Sequence, residues 1–152
     1  MATGFTLGLD GKTYANTGTN ASPTWAEVEN VKDLTLNLER GEFDVTTRGG
    51  GGFVQRVPVL ADGSIDFQMV YDTSDADMTR VRTDYFAKTI RQYAFMDGDI
   101  TTSGSQGLRA GVGVFNFSRS ENLTEAMMID VSLKVSRFVE SSAEVTPDWY
   151  TV

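Results

Sequence analysis

The chain has 152 residues, 40% of them hydrophobic, with a net charge of −8 and a pI near 4.4. That is enough apolar content for one domain with a core of its own. It holds no cysteine and no histidine, which excludes disulfides, thiolate nucleophiles, thiolate metal sites and any Ser-His-Asp triad built from this chain alone. The acidic balance argues against tight DNA or RNA binding, which needs a basic stripe along the phosphates, but not against nucleic acid passing close by.

The N-terminus, MATGFTLGLDGK, lacks a basic region followed by an apolar one, so no secretion signal is expected. No run of about 18 apolar residues predicts a membrane span. The Asn-x-Ser/Thr triplets at Asn20, Asn116 and Asn122 are read as chance in the absence of a signal. Phe5 to Leu9 and Lys12 to Ala15 are expected to form a small hairpin around Asp10-Gly11. A polar loop and a short strand from Trp25 to Val28 follow.

Val31 to Glu39 predicts the first long strand. Leu34, Leu36 and Leu38 fall on one face and Asp33, Thr35, Asn37 and Glu39 on the other, a period of two. Phe43 and Val45 alternate with Glu42, Asp44 and Thr46, so the strand continues past a kink at Arg40-Gly41 or folds back. Arg48 to Gly52 is too glycine-rich for regular structure. Gln55 to Leu60 and Ser64 to Tyr71 read as two strands around an Ala61-Asp62-Gly63 turn. In the second, Ile65, Phe67, Met69 and Tyr71 oppose Ser64, Asp66 and Gln68.

Asp72 to Thr89 predicts a helix capped by Thr73 or Ser74, with Asp75 and Asp77 at the positive end of its dipole and Met78, Val81, Tyr85 and Thr89 on one stripe, Arg80, Arg82 and Lys88 elsewhere. Arg91 to Met96 is a strand and Asp97 to Gly107 a loop. Leu108 to Ser120 is a long strand whose alternation switches near Val114-Phe115, the mark of a bulge. Met128 to Arg137 alternates most cleanly, with Ile129, Val131, Leu133 and Val135 inward and Asp130, Ser132, Lys134 and Ser136 outward. Residues 138–152 read as a polar tail ending in Trp149-Tyr150. The expected fold is mainly β: an antiparallel sandwich or half-barrel with one flanking helix. It forms a single domain over 1–152, with an N-terminal arm over 1–24 and a C-terminal tail over 138–152.

Little of this carries catalysis. Arg48 and the glycines after it lack the Gly-Lys-Ser/Thr ending of a phosphate loop. Asp72, Asp75 and Asp77 lack the glycine and distal glutamate of a calcium loop and suit helix capping better. Asp97 and Asp99 around Gly98 fit an ordinary turn. No carboxylate pair has a positioned partner, so neither an enzyme nor a cofactor is expected. The polar strand faces, with Asp33, Glu39, Asp44, Asp66 and Asp130 against Lys134, fit a solvated sheet face or the lining of a shared acidic passage.

The segment DVTTRGGGGFVQRVPVLADGSIDFQMVYD, Asp44 to Asp72, resembles the major tail tube proteins of long-tailed bacteriophages. Asp44, Thr46, Thr47 and Arg48 match that family's strand ending. Gly51, Gly52 and Phe53 match its Gly-Gly-aromatic step, and Val57, Pro58 and Leu60 its Leu-Pro-Gly-Leu, with Val59 in place of glycine. The resemblance spans roughly residues 25 to 137. It implies hexameric rings stacked into a hollow conduit for DNA in the virion tail, assembled in the host cytoplasm. It also implies tape-measure and terminator or tip proteins as partners.

On that resemblance Asp33, Thr35, Asn37, Glu39, Asp66, Gln68, Asp130, Ser132 and Lys134 are candidates to face the lumen. Thr47, Arg48, Gly49, Gly50, Gly51, Gly52 and Phe53 form an inter-subunit loop, and Trp149 and Tyr150 anchor the C-terminus on a neighbour. A tube of a bacterial injection machine is the alternative. A monomeric ligand-binding sandwich is a further one, weakly supported by Trp25 and Trp149.

Overall fold

A computed structural model describes residues 5–152; residues 1–4 of the expected N-terminal arm lie outside them. The strands are β1 (Lys12–Asn16), β2 (Trp25–Glu27), β3 (Lys32–Asp44), β4 (Arg56–Val70), β5 (Arg91–Met96), β6 (Gln106–Ser120) and β7 (Met128–Val135). Three short strands follow: β8 (Phe138–Glu140), β9 (Ala143–Val145) and β10 (Asp148–Thr151). One helix, α1 (Ala76–Ala87), lies between β4 and β5. The main sheet runs β2-β1-β5-β6-β7-β4-β3, every neighbouring pair antiparallel, and β10 adds to β6.

The expected alternation places the core. Ile65, Phe67 and Met69 of β4 and Ile129, Val131 and Leu133 of β7 are buried on one face, joined by Leu108, Ala110 and Val112 of β6 and by Met78 and Val81 of α1. Residues of β1, β2 and β3 line one shared groove, so the two ends of the strand order approach each other and the sheet is curled. A smaller cluster of Tyr14, Ala94, Met96 and Ile100, packed by Trp25, Tyr150 and Val152, covers the opposite face of β1 and β5.

The bulge expected in β6 is present: the register against β7 shifts between Val114 and Asn116. β3 does not fold back at Arg40-Gly41. It continues to Asp44 through a register shift between Arg40 and Glu42. Other expectations are corrected. Phe5 to Leu9 does not pair with β1, because Gly11 is extended (φ −65°, ψ 138°) and a two-residue hairpin turn of type I′ needs positive φ. β1 pairs β2 and β5 instead. Ala61-Asp62-Gly63 is no turn; all three lie in the ladder opposite Arg40, Glu39 and Leu38. Gly63 serves close packing, since a Cβ there would lie 2.7 Å from Val135 Cγ2.

The helix cap is Asp75, whose carboxylate accepts the Asp77 N–H, rather than Thr73 or Ser74. Asp72 holds the turn before it by accepting from Ser74 N–H and Oγ–H, which keeps its carboxyl below the usual range. Residues 138–152 are not a free tail. β8 and β9 form a hairpin whose turn residues, Ser141 and Ser142, both have positive φ, and β10 pairs with Gln106–Arg109 of β6.

Candidate functional site

One face of β3, β4, β7 and the second half of β6 is polar and open. Across it run ladder rows: Lys32, Gln68, Asp130 and Ser118; Thr35, Asp66, Ser132 and Asn116; Asn37, Ser64 and Lys134; Glu39 and Asp62. Period-two geometry puts each row on the side opposite the core. Gln68 donates to Asp130 Oδ1 at 3.0 Å, and the Lys134 ammonium lies 5.4 Å from the Phe115 ring centroid, a cation–π contact at the β6 bulge.

The structure therefore brings Thr35, Asn37, Glu39, Asp66, Gln68, Asp130, Ser132 and Lys134 together, and leaves Asp33 out. The ladder shifts register between Lys32 and Thr35, and Asp33 takes a left-handed conformation (φ 52°). Lys32 stands in the row opposite Gln68 instead. Asp62 is hidden from the sequence by the turn-like composition of Ala61-Asp62-Gly63, and Asn116 and Ser118 by the bulge, after which their phase is restored. The titratable groups on this face are Glu39, Asp62, Asp66 and Asp130 against Lys32 and Lys134. Four carboxylates and two ammoniums leave −2 of the chain's −8.

Beyond Glu39 and before Gly63, β3 and β4 pair only with each other, since the register with β7 starts at Ser64. The result is a two-stranded arm. At its end Arg48–Gly50 makes a single 3-10 turn, and Gly51 and Gly52 are left-handed (φ 67° and 88°). This corrects the expectation that the segment holds no regular structure. Local bonds fix it: Val45 N–H to Gln55 O at 2.9 Å, and Gln55 N–H to Thr46 Oγ1 at 2.9 Å. Asp44 accepts the Thr46 N–H at 2.8 Å, and the Thr46 side chain first and this N–H second lower its pKa. The arm exposes Phe43, Phe53, Val54, Val57 and Leu60, with Leu60 85% accessible.

At the C-terminus, Trp149 stays 56% exposed and its indole N–H donates to Gln106 Oε1 at 2.8 Å. Tyr150 packs on the small cluster of its own subunit, with the Arg109 guanidinium 4.3 Å from its ring centroid. Arg109 also pairs with Asp148 at 2.7 Å. The remaining candidates resolve locally. Asp77 pairs with Arg80, Asp97 accepts the Gln106 N–H, and Asp99 holds Thr101, which depresses its pKa. Among the described residues no cluster of acidic side chains could hold a metal. No helix among them is long and apolar enough to cross a membrane.

No protein-family model matches the chain, and no curated protein matches it in sequence. Solved structures do. A chain in the tail of an empty gene transfer agent particle, refined with C6 symmetry, superposes with a TM-score of 0.67 at 14% identity, over 86% of this chain and 93% of that one. The SPP1 tail tube gives 0.69 at 12% identity, over 97% of this chain and 80% of that one. A chain in the extended sheath–tube complex of an extracellular contractile injection system gives 0.64 at 6% identity, over 99% and 95%. At these identities the likeness is one of fold: the described residues share the fold of the SPP1 tail tube and of the gene transfer agent tail chain.

Proposed function

We propose that this chain is the structural subunit of a phage tail tube. Hexameric rings form edge to edge and stack into a hollow conduit through which DNA is delivered to the host. The observation that carries this reading is the open polar face spanning β3, β4, β7 and β6, set opposite the core on a sheet of tail tube fold. A monomer has no evident use for a polar wall four strands wide. A ring has one, because closing copies side by side removes the free edges of β2 and β3 and turns their polar faces toward a common lumen.

On this reading Thr35, Asn37, Glu39, Asp66, Gln68, Asp130, Ser132 and Lys134 line the channel, joined by Lys32 and Asp62. The arm with Thr47 to Phe53 at its tip reaches another subunit. Trp149 is the part of the C-terminus left to meet a neighbour. The chain acts as scaffold and not as catalyst. It belongs in the virion tail, with a tape-measure protein inside the tube and a terminator or tip protein at its ends.

The likeness to the contractile injection system favours a second reading, the same tube carrying protein. The excess of carboxylates on the polar face supports DNA as cargo, since it repels phosphate. Electron microscopy and size-exclusion chromatography of the concentrated protein should show rings or tubes with six-fold symmetry. A strictly monomeric particle at every salt concentration would overturn the proposal.

A further inference from the structure

A groove of about 900 Å³ opens along the seam where the two ends of the strand order approach each other. Val28, Val31, Leu34 and Phe95 supply its apolar lining, and Glu29 and Asp33 are its unpaired acids. Lys12 also lines it but is committed to Glu27 at 3.2 Å. Among the described residues Glu29 and Asp33 have no ion pair, and Asp33 sits at the register shift in β3 in a left-handed conformation (φ 52°) that aspartate tolerates.

The complementary object is the hairpin tip. Phe53 is 76% exposed and Val54 58%. Arg48 has no acidic partner among the described residues, whereas the nearby Arg56 is paired with Glu42 at 3.3 Å. The tip cannot reach the groove of its own chain. From Leu36 to Asp44 the backbone runs as one strand, about 26 Å at roughly 3.3 Å per residue, and the tip lies beyond that.

We propose that the groove receives the hairpin tip of a second copy of this chain. Phe53 and Val54 lie on the apolar lining, and Arg48 sits against Glu29 and Asp33. This gives the arm a receptor and rests on the tube reading for the assembly in which the two meet. The charge pairing sets the register, since an arginine docked against carboxylates fixes geometry where apolar contact alone would slide.

A chain without cysteine makes the contact directly readable. Glu29→Cys protein mixed with Arg48→Cys protein and oxidised under assembly conditions should give a disulfide-linked dimer. Arg48→Cys mixed with Glu144→Cys, on the β8–β9 hairpin, should not. In the cysteine-free background Arg48→Glu should abolish tubes, and adding Glu29→Arg to the same chain should restore them. Tubes that form without the Glu29–Arg48 crosslink overturn the groove assignment and leave the tube reading standing. Equal crosslinking of both pairs also overturns it. A specific crosslink in a protein that never builds tubes supports the groove and overturns the tube reading.

Discussion

Tyr93 is 1% exposed, stacks on Phe95 at 5.9 Å, and its hydroxyl has no hydrogen-bond partner among the described residues. Burial disfavours the phenolate and pushes its pKa up. The folded state therefore holds this proton more tightly than the unfolded chain. The associated stability is complete below the unfolded value of about 10 and is lost as pH rises above it. Tyr93→Phe removes an unmet polar group and its titration. Thermal melts should show the variant at least as stable at neutral pH, by up to ~2 kcal/mol, with a flatter decline above pH ~10. A clear loss of stability would show that the hydroxyl has a partner in solution. Asp84 shows why such residues escape a sequence reading. Helical spacing from Met78 and Val81 points to Tyr85 as the next buried position, yet Tyr85 is 39% exposed and Asp84 is 2% exposed. The neighbouring position belongs to a carboxylate because Arg91 reaches it with two bonds of 2.8 and 2.9 Å, and no periodicity reveals a partner on the next strand.

Among the elements, period-two alternation was enough to locate β3, β4 and β7 and to orient their faces. It failed where a glycine had two possible meanings. Gly63 after Ala61-Asp62 has the composition of a turn, but its use is close approach to Val135, a fact that resides in β7 and not in the local sequence. The polar face was legible for the same reason that Asp33 was not: alternation is read straight through a bulge that only pairing reveals. Residues 138–152 look polar and short of apolar positions, yet β8 and β9 pair with each other and Asp148–Thr151 pair with β6. Truncation after Glu140 removes β9, β10 and the packing of Tyr150. It should lower stability by about 2 kcal/mol or more and the Tm by ~4 °C or more. An unchanged Tm would mean that the pairing contributes nothing. Deleting Gly49 to Gly52 should behave in the opposite way. The tip touches no part of the core, so circular dichroism and Tm should stay as they are while tubes fail to form. Normal tubes from that variant would remove the tip from assembly.

For the whole molecule, the charge is distributed unevenly. Six copies would carry 6 × −8 = −48 in total, but the polar face contributes −2 per copy, or −12 per ring. Most of the acidity lies elsewhere and sets solubility. On the tube reading proposed above the wall would be only mildly repulsive, and at physiological salt its reach would be about 8 Å. That suits a surface on which phosphates neither bind nor stall. Asp66→Lys with Asp130→Lys reverses the face from −2 to +2. Tubes should still form, and genome ejection should slow, most severely at low salt where screening is weakest. Ejection at the normal rate in low salt from intact tubes would show that wall charge plays no part.

The unbroken run of β4 also has a mechanical meaning. One strand of 15 residues forms half of the projecting arm and then enters the body, where it is held on one side by β3 and on the other by β7 from Ser64 to Val70. Antiparallel bonds lie perpendicular to the strands. A pull on the tip along the arm therefore loads the β4–β7 ladder in shear, all bonds together, whereas a pull across it opens them one at a time. Tension between rings would pass through the stiff direction of the sheet. In an optical trap, pulling from Gly50 against Met128, at the opposite end of the ladder, should need a higher rupture force than pulling Val70 away from Met128, and equal forces would contradict this.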